Sequence, residues 1–297
     1  YSYCLNNPLI YSDPSGELAW FVPLVVGALV FGTGNVTAHA INGDINNFGD
    51  GLIYFGQGAL VGTALGAAWQ FAPLIPGLGN AIQTGMSIYG QIQATGYGVS
   101  AISGLCKGVA TGNWDVFNNA NKIFLGNFYL DENRSFLGGV WQGFSRHTWE
   151  FLQTVGGHSF TQFANLIGDV DRVDYLGGAT FATRENREGR WGVSIGNFIN
   201  ISIWDKIETS FINKVISDPM FMHEYGHTFD SQIFGISYLF TIGIPSLFTA
   251  GSSTHKYMWY EKRANRFAAD YFGENYGVDW NSNYRNGTIE DYYPRSK

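Results

Sequence analysis

The apolar and polar positions divide the chain into a long uncharged part and a following part of ordinary polarity. Residues 18–106 contain only two charged side chains, Asp44 and Asp50. Within them, residues 18–32 are almost wholly apolar. A run of glycines then recurs every four residues, which places them on one face of a helix: Gly58, Gly62 and Gly66. The pattern predicts tightly packed apolar helices.

This uncharged part has two interpretations. The run at residues 18–32 is shorter than a usual membrane-spanning helix and contains Pro23, and glutamines interrupt the stretch that follows. The pattern therefore favours an uncharged scaffold buried inside a larger shell. Membrane contact through residues 18–106 is the alternative, because a G-x-x-x-G face also suits helices that pack in lipid.

Charged residues and Asn-rich turns return beyond residue 106, and we place a domain boundary near residues 107–125. The chain then divides into a Gly-rich scaffold or translocation region at 18–110 and a second domain at 111–297.

The second region has the mixed pattern of an α+β fold. An amphipathic helix is predicted at residues 141–155. Two stretches rich in β-branched and aromatic residues, 173–183 and 191–203, predict two strands joined by a charged turn. Residues 236–251 are apolar with Pro245 in the middle, which predicts a buried connector rather than a membrane span.

The stretch DPMFMHEYGHTFDSQIFG predicts a capped helix that carries metal ligands. Asp218 suits the N-cap, Pro219 suits the first helical position, and Gly235 lies where a helix stop belongs. His223 and His227 are four residues apart, so both imidazoles project from one face. Such a pair supplies two corners of the tetrahedral coordination that zinc prefers.

Glu224 directly follows the first of these histidines and completes the H-E-x-x-H arrangement of zinc metallopeptidases. A carboxylate at this position can take a proton from the attacking water. Two imidazoles and a carboxylate on one turn would also be costly to bury without a metal ion. Gly226, between the two histidines, indicates that a strand or the substrate packs closely there.

A second helix, predicted at residues 252–273 with its start at Ser253 or Thr254, offers the third ligand. Its small residues would let it approach the first helix closely, since one face combines them with a carboxylate: Glu261, Ala264, Asn265 and Ala268.

We therefore predict Glu261 as the third ligand and Zn²⁺ as the cofactor. His255 is the competing ligand, and an ordinary surface ion pair is the non-functional alternative for Glu261. Asp230 is disfavoured, because three residues after His227 it points only partly toward the metal face.

The E-x-x-A-N pattern of Glu261, Ala264 and Asn265, downstream of H-E-x-x-H, resembles the third-ligand helix of glutamate-type zincins, in particular their membrane and regulatory peptidases. The resemblance implies a zincin-like fold, in which a sheet precedes the active-site helix and its edge strand pairs with an extended substrate. We expect Asn265 to brace a ligand histidine. Three nearby side chains are candidates to stabilise the oxyanion: His255, Tyr257 and Tyr260.

Composition narrows the range of partners. Charged residues make up 14% of the chain and the formal net charge is −7. This balance argues against a nucleic-acid partner, which would require clustered Lys and Arg. Cys4 and Cys106 are far apart and form neither a disulfide framework nor a metal signature.

The opening residues, YSYCLNNPLIYSDPSGE, resemble the signature that closes the core of RHS-repeat proteins. The matching positions are Tyr1, Tyr3, Asn6, Asn7, Pro8, Leu9, Tyr11, Asp13, Pro14 and Gly16. The resemblance implies that residues 1–17 end a β-shell and that the following segment is a toxin or effector carried by it. It further implies a bacterial, exported or secreted effector, with the RHS shell of the parent chain and an immunity protein as partners.

Together these features predict zinc-dependent hydrolysis of a protein or peptide substrate, with Glu224 as the general base. Two alternatives stay open. One is a membrane-inserting toxin that acts through residues 18–106, and the other is a structural or binding module with a degenerate metal site.

Overall fold

The computed structural model describes residues 20–295. The predicted shell closure at residues 1–17 therefore lies outside the described residues. Within the described range the fold is α+β, with long helices and two small sheets. The predicted fold class is confirmed at this level.

Three long helices open the described chain: α1 (Val22–Asn42), α2 (Phe48–Phe71) and α3 (Gly79–Thr111). The first two form an antiparallel hairpin whose backbones touch along the predicted glycine face. A Cβ at Gly62 would lie 1.9 Å from the carbonyl oxygen of Gly27, and one at Gly58 would lie 2.2 Å from that of Phe31. The glycines are thus required by the close approach of the two helices.

The outward faces of this hairpin are apolar and exposed. Val26, Leu29 and Leu52 each leave about half of their surface in solvent. No residue within 20–295 covers them, and burial of this region inside a larger shell stays a prediction. α3 ends at Thr111, close to the predicted boundary, and packs against helices of the second region.

The second region begins with α4 (Asp115–Leu125), α5 (Phe136–Arg146) and α6 (Phe151–Leu166). The single helix predicted at residues 141–155 is therefore wrong, because the chain turns between α5 and α6. Buried polar groups account for the turn. Glu150 accepts hydrogen bonds from the hydroxyls of Ser145 (2.5 Å) and Ser231 (2.7 Å). Arg146 is buried and donates to the carbonyl oxygens of Tyr129 and Gly178.

A four-stranded sheet follows, formed by β1 (Arg172–Leu176), β2 (Ala179–Arg184), β3 (Trp191–Ile195) and β4 (Phe198–Ser202). The strand order is β1-β2-β4-β3; β2 and β4 are parallel and the outer pairs are antiparallel. The two single strands predicted from sequence are wrong, since each is a hairpin. Gly177, Gly178 and Gly196 adopt positive φ at the turns, as two-residue hairpin loops require.

The sheet separates two sets of helices. On one face, Phe181, Ile199 and Ile201 pack into the main core with α7 (Phe211–Ser217), α8 (Pro219–Phe234) and α10 (Trp259–Tyr276). On the other face, Val173, Ala182 and Phe198 pack against α4 and α6. The alternation follows from the two-residue repeat of a strand. The strand order places β3 at one edge of the sheet, where it packs beside α8.

The segment between α8 and α10 is not the buried connector that the sequence predicted. It forms 3₁₀ and π turns at Gly235–Ser237 and Leu239–Gly243, then α9 (Ile244–Thr249). Tyr238 and Ile242 are buried, but Leu247 and Phe248 are 73% and 82% exposed, so most of this connector is not buried.

The helix predicted to start at Ser253 or Thr254 in fact begins at Trp259, after a 3₁₀ turn at His255–Tyr257. The chain closes with a short hairpin, β5 (Asn283–Tyr284) and β6 (Gly287–Thr288), and α11 (Ile289–Tyr292).

Candidate metal centre

Helix α8 begins and ends where its sequence predicted. The side chain of Asp218 accepts from the backbone N–H of Met220 at 3.3 Å, Pro219 is the first helical residue, and Gly235 is the C-cap. Asp218 is itself fixed by ion pairs with Arg190 and Lys214. The cap therefore sets the start of the helix, and with it the face on which His223 and His227 lie.

The close contact predicted at Gly226 is real, but its partner is α10 rather than a strand or the substrate. A Cβ at Gly226 would lie 2.1 Å from the carbonyl oxygen of Ala264. Ala264 and Ala268 have no exposed surface. Small residues on both helices thus allow the crossing that brings Glu261 toward the two imidazoles.

Three side chains meet at this crossing. Nε2 of His223 lies 3.0 Å from Oε2 of Glu261, and Nε2 of His227 lies 3.4 Å from the same oxygen. One ligand atom from each residue lies within 4.8 Å of the other two. Bonds to zinc of about 2.1 Å at tetrahedral angles would separate ligand atoms by about 3.4 Å. The spacing therefore fits a single small metal ion.

The hydrogen bonds around His223 also favour a cation between this residue and Glu261. Its Nδ1 lies 2.7 Å from Oδ1 of Asn265, whose amide nitrogen donates to the carbonyl oxygen of Pro294 at 2.9 Å. A carbonyl can only accept, so this bond fixes which way the Asn265 amide points and makes Nδ1 of His223 the donor. Nε2 then presents a lone pair to the Glu261 carboxylate, an arrangement that needs a proton or a metal ion between them.

The other two candidate ligands also have supporting partners. Nδ1 of His227 lies 3.6 Å from Oδ2 of Asp230, which is buried and paired with Arg263 at 2.7 Å. Ser246 donates to Oε1 of Glu261 at 2.6 Å. Asp230 thus lies behind a ligand histidine rather than in the triad. Such outer contacts orient metal ligands and raise their basicity.

The site strongly stabilises positive charge. Burial alone would lower the pKa of His227, yet its contacts with Asp230 and Glu261 hold that pKa well above its ordinary value. Burial would raise the pKa of Glu261, but the hydrogen bond from His223 and the charge of His227 outweigh it and hold that pKa well below its usual range. A divalent cation bound among these side chains would balance the negative charge of Glu261 as protons on the imidazoles do.

Glu224 lies between the helix and the edge strand. Its Oε1 would be 2.4 Å from a Cβ at position 192, so only the glycine backbone of β3 leaves space for the carboxylate. Its Oε2 lies 2.7 Å from the hydroxyl of Ser194. The side chain is 8% exposed. The carboxylate is thus held beside the edge of the sheet.

The three oxyanion candidates differ in placement. His255 comes nearest, with its Nε2 3.5 Å from Oε1 of Glu261 and its Nδ1 2.8 Å from the Thr249 hydroxyl. The Tyr260 hydroxyl bonds to Thr249 and to the carbonyl oxygen of Pro245, so it anchors the connector. Tyr257 is exposed, and its ring packs against Lys256 and Lys262. The structure therefore brings only His255 to the triad.

Sequence reasoning missed several groups at the site. Ser194 and Ser246 contact the two site carboxylates from separate elements. The Tyr293 ring lies 5.5 Å from that of His223, and burial raises the pKa of its phenol. Only the glycine at position 192 offered a signal, since a glycine in a strand marks close approach.

No family model, curated protein or solved structure shows significant similarity to this chain.

Proposed function

We propose that this chain is a zinc-dependent peptidase of the glutamate-type zincin class. The observation that carries the proposal is the convergence of two imidazoles from α8 and one carboxylate from α10 within 4.8 Å of one another. A nitrogen-rich set of three protein ligands is typical of catalytic zinc sites, which leave one position for water or substrate.

His223, His227 and Glu261 would hold the metal ion. When bound, zinc supplies an activated water and polarises the carbonyl under attack. Glu224, adjacent in sequence and turned toward the sheet edge, takes the proton of the attacking water and passes it to the leaving amine. The Ser194 hydroxyl donates to this carboxylate and holds its orientation.

The edge strand β3 supports a peptide as the substrate. β3 pairs with β4 on one side, and its outer edge lies beside α8, where the Tyr238 hydroxyl donates to the carbonyl oxygen of Ser194. An extended peptide can add to such an edge through main-chain hydrogen bonds, largely independent of its sequence. Gly192 would let that peptide pass close to Glu224.

The test compares three purified proteins made without chelator: wild type, Glu224→Gln and His227→Ala. Zinc content by mass spectrometry should be one per chain in wild type and in Glu224→Gln, and near zero in His227→Ala. New protein N-termini in a treated bacterial lysate should appear with wild type alone, because Gln cannot accept the proton. Zinc binding without any new N-termini would support the degenerate binding module instead.

The RHS-like opening leads us to propose, further, that the peptidase is an effector delivered by its parent shell. Expression of wild type in the bacterial cytoplasm should then arrest growth, while Glu224→Gln should not. Equal toxicity of the two proteins would assign the damage to another part of the chain.

A further inference from the structure

The hairpin formed by α1 and α2 is unused by the proposed chemistry and has the dimensions of a membrane-spanning unit. α1 contains 21 residues and α2 contains 24, which corresponds to lengths of about 31 and 36 Å. The hydrocarbon core of a bilayer is about 30 Å thick. By length and composition both helices are apolar enough to cross it, and less than a third of the most apolar stretch of each is buried in the structure.

Several polar side chains of the hairpin form hydrogen bonds within it, whereas Oε1 of Gln57 and Nε2 of His39 are buried without a partner. The hydroxyls of Thr33, Thr37 and Thr63 donate to carbonyl oxygens one turn earlier in their own helices. Asn35 of α1 donates to the carbonyl oxygen of Tyr54 in α2 at 2.7 Å. Internal satisfaction of this kind is what lipid demands and water does not.

The packing between the two helices does not depend on the hydrophobic effect. Gly27, Gly58 and Gly62 bring the backbones into contact, so the hairpin can persist when its surroundings become apolar. The hairpin also packs on the catalytic domain. Gln57 donates to the carbonyl oxygen of Phe136, and the Leu130 N–H donates to Asn35. The rings of Phe31 and Phe128 are 5.1 Å apart, and Ala38 is buried with Tyr129 and Tyr175.

The ends of the hairpin differ from its middle. Trp20 and Trp69 lie at the open end, where aromatic side chains suit the membrane interface. Of the two charged residues of the hairpin, Asp44 lies in the turn and Asp50 in the first turn of α2. Oδ2 of Asp44 is 2.7 Å from Nδ1 of His39. The exposed faces between the two ends carry no Asp, Glu, Lys or Arg.

We propose that α1 and α2 insert together into a lipid bilayer as a helical hairpin, with the turn at residues 43–47 on the far side. A second copy of this chain or another protein could also cover an apolar face. Lipid is favoured because the apolar surface runs the full length of both helices and ends at aromatic and polar caps. Insertion with the turn on the far side would separate Asp44 from Tyr129 and Phe31 from Phe128, and would leave the catalytic domain at the membrane surface.

The test uses the full chain and vesicles of phosphatidylcholine and phosphatidylglycerol. Wild type should float with the vesicles and resist carbonate extraction. Leu29→Lys places a charge in the middle of α1 at a half-exposed position that the folded protein in water tolerates, and it should weaken partitioning about 100-fold. Ile167→Lys, at a similarly exposed position outside the hairpin, is the matched control and should float like wild type.

A second measurement tests whether the turn crosses the membrane. With Cys4 and Cys106 changed to Ser, a cysteine introduced by Asn46→Cys should react with an impermeant maleimide in solution and become protected in sealed vesicles. The proposal is overturned by a wild type that does not float, by equal flotation of Leu29→Lys, or by a cysteine that stays reactive. A lipid-free dimer that Leu29→Lys dissociates, without flotation of wild type, would instead assign the face to a second copy. Glu224→Gln should float normally, which separates this result from the fate of the peptidase proposal.

Discussion

Replacing Gly226 with Ala tests whether the crossing of α8 and α10 creates the metal centre. The added methyl carbon would lie 2.1 Å from the carbonyl oxygen of Ala264 and 2.7 Å from its carbonyl carbon, whereas ordinary contacts begin at 3.4 Å. Because both neighbours are backbone atoms, no side chain can rotate away. The helices must separate by about 1 Å.

This displacement acts directly on Glu261. Ligand distances in a metal site tolerate deviations of about 0.2 Å. A shift several times larger removes the carboxylate from the coordination shell. Since loss of an outer-shell partner alone costs roughly 10–100-fold in affinity, we expect Gly226→Ala to weaken zinc binding by at least about 100-fold. Overpacking costs about 1–3 kcal/mol, and the better helix propensity of Ala returns about 1 kcal/mol, so the fold should survive.

The assay is competition for zinc against a chromogenic chelator, alongside urea denaturation of the metal-free protein. Gly90→Ala is the matched control, because a Cβ at Gly90 meets nothing within 4 Å. It should bind zinc like wild type and gain up to about 1 kcal/mol in free energy of unfolding. A Gly226→Ala protein that is folded and binds zinc within a factor of three of wild type would refute the reasoning.

Three further predictions concern the surroundings of the site and one remote carboxylate. Asn265→Ala should lower zinc affinity about 10–100-fold, because Nδ1 of His223 loses its acceptor. Removing zinc by dialysis against chelator should lower the melting temperature, and zinc at about 1,000 times its Kd should restore about 4 kcal/mol in wild type but not in His227→Ala. Burial, reinforced by the charge of Asp131, raises the pKa of Glu132 to about 7 from 4.5. The folded state therefore holds a proton that the unfolded state releases, so stability falls as pH rises between these values. Glu132→Gln should then be about 2–3 kcal/mol more stable than wild type at pH 8 and similar to it at pH 4 in urea denaturation.

Each of these predictions has an opposing result. Asn265→Asp retains an acceptor and should bind zinc more tightly than Asn265→Ala; equal affinities would show that the amide does not orient the ligand. A melting temperature that zinc does not change would mean that the triad binds no metal in the folded state. A constant difference between Glu132→Gln and wild type from pH 4 to pH 8 would show that Glu132 titrates normally.

The contrast between α8 and the sheet shows which predictions from sequence succeed. The start of α8 depends on Asp218 and Pro219, which act on the backbone within one turn, and so its register could be predicted. Each hairpin is predicted as one strand because a glycine inside a strand usually indicates a bulge or a close backbone approach rather than a turn. Their turns become clear only when the strands on either side are seen to pair.

From the sequence alone, the two helices that carry the candidate ligands could be predicted, since a four-residue spacing of histidines and a three-residue spacing of small residues beside Glu261 are properties of one helix at a time. The sequence also predicted the uncharged helical region and its glycine face, but not that two of its helices pair as a hairpin. Only the tertiary structure decided that Ala264 lies against Gly226, that Ser194 and Ser246 reach the site carboxylates, and that the apolar hairpin faces outward. Those contacts join residues far apart in the chain, and their geometry depends on how whole elements pack rather than on any local preference.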